Sequence, residues 1–178
     1  TSGGHNTAFG KGALDANTSA SDNTAFGSHS LGANSTGYRN VAVGREAMFS
    51  NTTAIDNTAV GTTALYSNTT GNANTGVGRQ AIYTNTTGSN NTAVGYNALD
   101  DSTTASNNTA VGKSALTATT TGPYNTAVGH EAMEVNTTGT QNVAIGAFAL
   151  DDSTTANGNT AIGYASLSAN TTGTFNAA

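Results

Sequence analysis

The chain has 178 residues, a net charge of −5 and only 8% charged residues, and Thr, Ala, Asn and Gly fill well over half of it. This composition excludes an ordinary mixed-core enzyme domain, and the absence of Cys excludes disulfide scaffolds and thiolate metal sites. Five Lys and Arg residues provide no basic field for nucleic acid. No apolar run approaches the roughly 20 residues of a membrane-spanning helix.

A repeat of 17 residues organises the whole sequence. Asn recurs every 17 residues from Asn6 to Asn176, and positions are numbered below from this Asn. The unit NTAVGxxALxxNTTGxx gives a partial unit at 1–5, ten units over 6–175 and a partial unit at 176–178. The sequence therefore predicts a single array, 1–178. Because both ends fall within a unit and no unit resembles a cap, we expect either a piece of a longer fibre or an array whose ends are covered by other chains.

Within each unit, positions two to four combine Thr or Val with Ala and a larger apolar residue, between turn-forming Asn and Gly, which predicts a strand. Positions eight to ten are a second predicted strand. Each unit is then one coil of an all-β fold, a parallel β-roll or β-solenoid of ten coils about 48 Å long. The predicted structural ladder of repeated Asn and Gly residues includes Asn57, Gly61, Asn74, Gly78, Asn91, Gly95, Asn108 and Gly112.

Each coil offers about two large apolar side chains, which is a thin core for 17 ordered residues. We therefore expect a homo-oligomer in which the small residues at positions three and five, such as Ala59 and Gly61, are buried against sister chains.

Units such as NTAVGTTALYSNTTG (57–71) and NTAVGYNALDDSTTA (91–105) resemble head repeats of trimeric autotransporter adhesins, the YadA-like or haemagglutinin-type family. Similar repeats occur in bacteriophage tail fibres. The resemblance implies a left-handed homotrimeric β-roll with an adhesive or spacer role at a cell surface or on a virion. The unit is longer than the typical adhesin repeat, and no neck, stalk or membrane barrel is present in this sequence. The sequence therefore leaves open whether the parent molecule is an adhesin, a phage fibre or a free filament.

In an in-register stack, residues 17 apart are neighbours. Asp22, Arg39 and Asp56 then form an alternating charge ladder at position seventeen, in which unlike charges adjoin. Phe49, Tyr66 and Tyr83 form an aromatic ladder at position ten. This ladder is the candidate ligand-binding surface, for a glycan or a matrix protein, with a purely structural stack as the alternative.

No catalytic, cofactor-binding or metal-binding residues are predicted. The acid pairs in the two DDSTTA segments, at 100–105 and 151–156, lie three units apart, about 14 Å, and are interpreted as solvated turn residues. His130 and Glu131 lack the second His of a zinc-binding HExxH motif.

Three functional classes remain open, none of them enzymatic. The first is an extracellular or virion fibre segment that acts as an adhesin head or spacer. The second is a structural extracellular filament that assembles end to end. The third is an ice-binding solenoid, suggested by the Thr ladder at position thirteen, although a flat ice-binding face requires ladders at positions i and i+2.

Overall fold

Positions two to four of every complete unit form a three-residue strand. The computed structural model describes residues 3–178, and its strands are β1 (Thr7–Phe9), β2 (Thr24–Phe26), β3 (Val41–Val43), β4 (Thr58–Val60), β5 (Thr75–Val77), β6 (Thr92–Val94), β7 (Thr109–Val111), β8 (Thr126–Val128), β9 (Val143–Ile145) and β10 (Thr160–Ile162). They form one parallel ten-stranded sheet in sequence order. The predicted all-β parallel solenoid with 17-residue coils is therefore confirmed.

The sheet has a constant register of 17 residues. Thr58 pairs with Thr75 and Val60 with Val77, and the same offset relates each pair of adjacent strands. Hydrogen bonds extend the ladder past the strand ends, because Thr58 N–H donates to Asn74 O (2.9 Å) and Gly61 N–H donates to Val43 O (2.8 Å). Each coil is thus hydrogen-bonded to both neighbouring coils.

The second predicted strand, at positions eight to ten, is wrong. These residues lie in a turn because positions seven and nine have left-handed φ angles, as in Thr63 (55°) and Leu65 (52°). The side chains of Ala64 and Leu65 both point into the core, whereas consecutive residues of a strand would point to opposite faces. Hydrogen bonds between coils stabilise this turn, including Leu65 N–H to Ala81 O (2.9 Å).

The backbone conformation and the close contact with the next coil at position five both require glycine. Gly61 has φ of 139°, and a Cβ there would lie 2.6 Å from the carbonyl carbon of Gly78. Its neighbour Ala59, at position three, is fully buried within its own chain. The expectation that position three faces sister chains is therefore wrong, since the coil itself encloses Ala59, whereas Gly61 at position five is partly exposed.

The core is a set of ladders along the solenoid axis. Ala at positions three and eight and Leu, Met or Ile at position nine supply its apolar part, as Ala93, Ala98 and Leu99 do in one coil. Asn at positions one and twelve supplies a buried polar part, for example Asn57 and Asn68. Buried amides therefore fill space that the apolar side chains leave empty.

Residues 3–178 contain no helix, and hence no helix able to cross a membrane.

Candidate binding surfaces

The outward side of the sheet carries two continuous columns of side chains. Ala at position three points inward, so positions two and four point outward, as the burial of Ala93 between partly exposed Thr92 and Val94 illustrates. We call this surface the outer sheet face. Position two is Thr in eight coils and Val in two, Val41 and Val143. Position four is apolar throughout: Phe9, Phe26, Val43, Val60, Val77, Val94, Val111, Val128, Ile145 and Ile162.

The outer sheet face combines exposed apolar groups with free hydroxyls. Val60, Val94 and Ile145 retain 37%, 39% and 41% exposure. Within residues 3–178, no threonine hydroxyl at position two makes a hydrogen bond to the protein. Neither column contains a charged residue. The result is an uncharged strip about 43 Å long, because nine strand spacings of ~4.8 Å separate β1 from β10.

At the β1 end of this strip, position four is aromatic in two successive strands, β1 and β2. The rings of Phe9 and Phe26 stack at 4.9 Å with an interplanar angle of 12°, and they are 66% and 51% exposed. Two exposed, stacked phenyl rings make this the most apolar part of the outer sheet face.

The aromatic ladder at position ten lies on a different side of the coil. Phe49 stacks on Tyr66 (5.5 Å, 13°), and Tyr66 stacks on Tyr83 (5.2 Å, 21°). All three side chains are half-buried, and the Phe49 ring also lies against the backbone of Gly32. Because the ring faces are occupied by one another, a ligand would meet ring edges and tyrosine hydroxyls.

The predicted structural ladder residues lie in two columns. Asn57, Asn74, Asn91 and Asn108 are buried, and each accepts the backbone N–H of the next Asn in the column, as in Asn74 N–H to Asn57 Oδ1 (2.8 Å). Gly61, Gly78, Gly95 and Gly112 repeat the same close backbone approach. Both columns hold coils together and neither offers a ligand a surface.

The charge ladder residues adjoin at position seventeen. Arg39 makes a bidentate pair with Asp56, through Nε to Oδ1 (2.6 Å) and Nη2 to Oδ2 (2.7 Å). This pairing raises the pKa of Arg39 and lowers the pKa of Asp56. Asp22 contacts His5 Nδ1 at 3.3 Å instead. The contacts therefore divide this column into two pairs.

The first acid of each DDSTTA segment is partly withdrawn from solvent. Burial, with a smaller contribution from Asp101, raises the pKa of Asp100 to about 6. Burial also raises the pKa of Asp151. No group of three His, Cys, Asp or Glu residues in the described part of the chain is arranged to hold a metal ion.

The threonine hydroxyls of the ladder at position thirteen donate hydrogen bonds within the protein. The Thr52 hydroxyl donates to Thr69 O (3.1 Å), and the Thr69 hydroxyl donates to Thr86 O (2.9 Å). These hydroxyls are unavailable as a regular ice-facing array. The adjacent position fourteen, such as Thr70, is exposed.

Sequence reasoning missed the outer sheet face. The signal was present, because alternation along the Thr-Ala-Val strand places positions two and four on one face. The larger apolar residue at position four suggests the opposite orientation, with position four inside the coil and position three outside, and that orientation conceals the outer sheet face.

No protein-family model, curated protein or solved structure matches this chain. The fold is compatible with a segment of a repeat fibre or adhesin, and the functional argument rests on its surfaces.

Proposed function

We propose that the chain is a non-enzymatic segment of an extracellular or virion fibre, a rigid head or spacer whose copies associate side by side. The outer sheet face carries this proposal. A charge-free strip in which position four is exposed in six of the ten coils and partly buried in the other four is a surface that association would shield from water.

The size of the strip limits what association through it can bury. At about 43 Å by roughly 10 Å, each strip covers about 400 Å², within the range of the largest patches on monomers. Each chain buries this same area whether two or three copies associate, so the area alone sets no number of chains. The proposal of three chains rests on the trimer implied by the repeat resemblance.

Mass in solution tests the association. We expect three times the 17.6 kDa chain mass by sedimentation equilibrium. Val60→Lys combined with Val94→Lys should release monomers, because it places two charges in the strip. The matched control is Thr70→Lys with Thr104→Lys, at exposed position fourteen, which should keep the native mass. A folded native monomer would refute lateral association.

An adhesin head and an inert spacer differ in ligand binding. If the segment is a head, it should bind a cell-surface glycan or matrix protein on an array, and Phe49→Ala, Tyr66→Ala and Tyr83→Ala together should abolish that binding. Binding unaffected by the triple variant would place the ligand elsewhere, whereas absence of binding by the native protein would favour the spacer.

Ice binding is the second candidate, and the outer sheet face is the observation that favours it. Thr and Val at positions two and four form two adjacent columns on one face of the sheet, and the Thr hydroxyls make no hydrogen bond to the protein. This function requires the face to be open to solvent. A monomer that shows thermal hysteresis, lost in Thr75→Lys, would support it, and an associated protein without thermal hysteresis would dismiss it.

A further inference from the structure

The buried asparagine column at position twelve is a regular donor and acceptor chain. Asn85 Nδ2 donates to Asn68 Oδ1 (2.8 Å) and to Gly88 O of its own coil (3.0 Å). Gly88 O accepts a second bond, from Asn74 Nδ2 (2.8 Å). In a regular coil, the amide at position twelve therefore supplies one hydrogen to the amide one coil earlier and one to the carbonyl at position fifteen.

Both DDSTTA segments interrupt this column with serine. Ser102 and Ser153 replace Asn and are fully buried. Their Oγ atoms have no hydrogen-bond partner, and neither do the Oδ1 atoms of Asn85 and Asn136, each one coil earlier. The same unpaired buried oxygens thus occur twice, three coils apart, and the Oδ1 atoms of Asp100 and Asp151 in the two segments are unpaired as well.

The carbonyl at position fifteen loses a donor at the same places. Ala105 O accepts one bond, from Asn91 Nδ2 (2.8 Å), and Ala156 O accepts one, from Asn142 Nδ2 (2.8 Å). In each serine coil, two acceptors therefore lack the hydrogens that an asparagine amide would supply.

We propose that one buried water molecule occupies each site and takes the place of the missing amide nitrogen. Its two hydrogens match the two acceptors, Asn85 Oδ1 and Ala105 O, and it accepts the hydroxyl hydrogen of Ser102. Three bonds are the usual number for a buried water. The Ser side chain has two heavy atoms fewer than that of Asn, one carbon and one nitrogen, so the exchange removes about the volume that a water molecule needs. The second site uses Asn136, Ala156 and Ser153 in the same way.

A neighbouring substitution shows why the site needs serine. Thr119 also replaces Asn at position twelve, but its hydroxyl donates to Asn136 O (3.0 Å) and accepts from Asn136 Nδ2 (3.2 Å). Its bonds are made within the protein, so this coil needs no water. A cation is disfavoured because three oxygens fall short of the six or more that Ca²⁺ or Mg²⁺ requires.

Magnetic relaxation dispersion of water nuclei counts long-lived internal waters and tests the proposal on the full chain. We expect the native protein to hold two more such waters than the Ser102→Asn, Ser153→Asn double variant, and one more than Ser102→Asn alone. Thr119→Asn is the matched control and should leave the native count unchanged.

Equal counts in the native protein and the double variant would overturn the proposal. If the double variant fails to fold, a high-resolution crystal structure of the native protein decides. Water density with three short contacts at both sites supports the proposal. An empty site or a six-coordinate ion refutes it. The outcome is independent of whether the chain forms a trimer.

Discussion

Removing one buried asparagine at position one should destabilise the solenoid measurably. Asn57 Oδ1 accepts Asn74 N–H (2.8 Å), and Asn57 Nδ2 contacts Gly71 O (3.0 Å), Asn40 Oδ1 (3.2 Å) and Ile55 O (3.1 Å). Asn57→Ala leaves the Asn74 N–H buried without an acceptor, which costs about 1–3 kcal/mol. The Asn57 amide nitrogen has two hydrogens, and losing the two hydrogen bonds that it donates adds about 1 kcal/mol each. The expected loss of unfolding free energy is therefore about 3–5 kcal/mol.

Urea unfolding followed by circular dichroism measures this loss, at a fixed chain concentration because association would contribute to stability. Thr70→Ala is the control: Thr70 is exposed, and its substitution should change the unfolding free energy by less than about 0.5 kcal/mol. A loss below about 1 kcal/mol for Asn57→Ala would refute the view that buried amides hold the coils together.

Three further predictions concern the backbone, the surface charges and pH. Gly61→Ala should prevent folding or cost several kcal/mol, because φ of 139° and the close Gly78 carbonyl both exclude a Cβ; native-like thermal unfolding would contradict this. Arg39→Ala should lower the urea midpoint of unfolding only slightly, and high salt should abolish this difference, because the ion pair with Asp56 is exposed and screened. Since folding raises the pKa of Asp100 from 3.8 to about 6, its destabilising contribution is absent below about pH 4, grows between about pH 4 and pH 6, and stays constant above that range. Asp100→Asn should remove this part of the pH dependence, and an unchanged profile of unfolding midpoint against pH would refute the assignment.

The spacing of the repeat was sufficient to predict the stacking. A 17-residue period without insertions fixes which residues adjoin, so the parallel register, the contact of Phe49 with Tyr66 and the position of Arg39 between Asp22 and Asp56 follow from sequence numbers alone. The choice of partner at position seventeen does not follow, because Asp22 and Asp56 are equally distant from Arg39 in sequence. Side-chain geometry selects Asp56.

The direction in which side chains point was harder to predict. Hydrophobic size suggests that Val94 is buried and Ala93 is not, whereas the narrow coil encloses Ala93 and leaves Val94 at the surface. The turn at positions seven to nine was also missed, because a left-handed Leu costs roughly 1–2 kcal/mol and propensity rules disfavour it. Hydrogen bonds between coils offset this cost at Leu65 and its equivalents.

Buried asparagine was the least predictable part of the core. Asn is mostly exposed in proteins, so the Asn residues at positions one and twelve were assigned to turns and ladders with no indication of their burial. Only the structure shows that the Asn57 amide is fully enclosed and bonded on both sides. The consequence of Ser102 and Ser153 cannot be predicted from sequence for the same reason, because it depends on which buried acceptors lose the hydrogens of an asparagine amide.

Cysteine cross-linking tests lateral association through the outer sheet face most directly, because the native chain has no Cys. Val94→Cys places one thiol on this face, and Thr104→Cys places one at exposed position fourteen. If three faces converge on one axis, Val94→Cys should form interchain disulfides in high yield under mild oxidation, and Thr104→Cys should form few. Equal yields, or efficient cross-linking only at position 104, would contradict association through the outer sheet face.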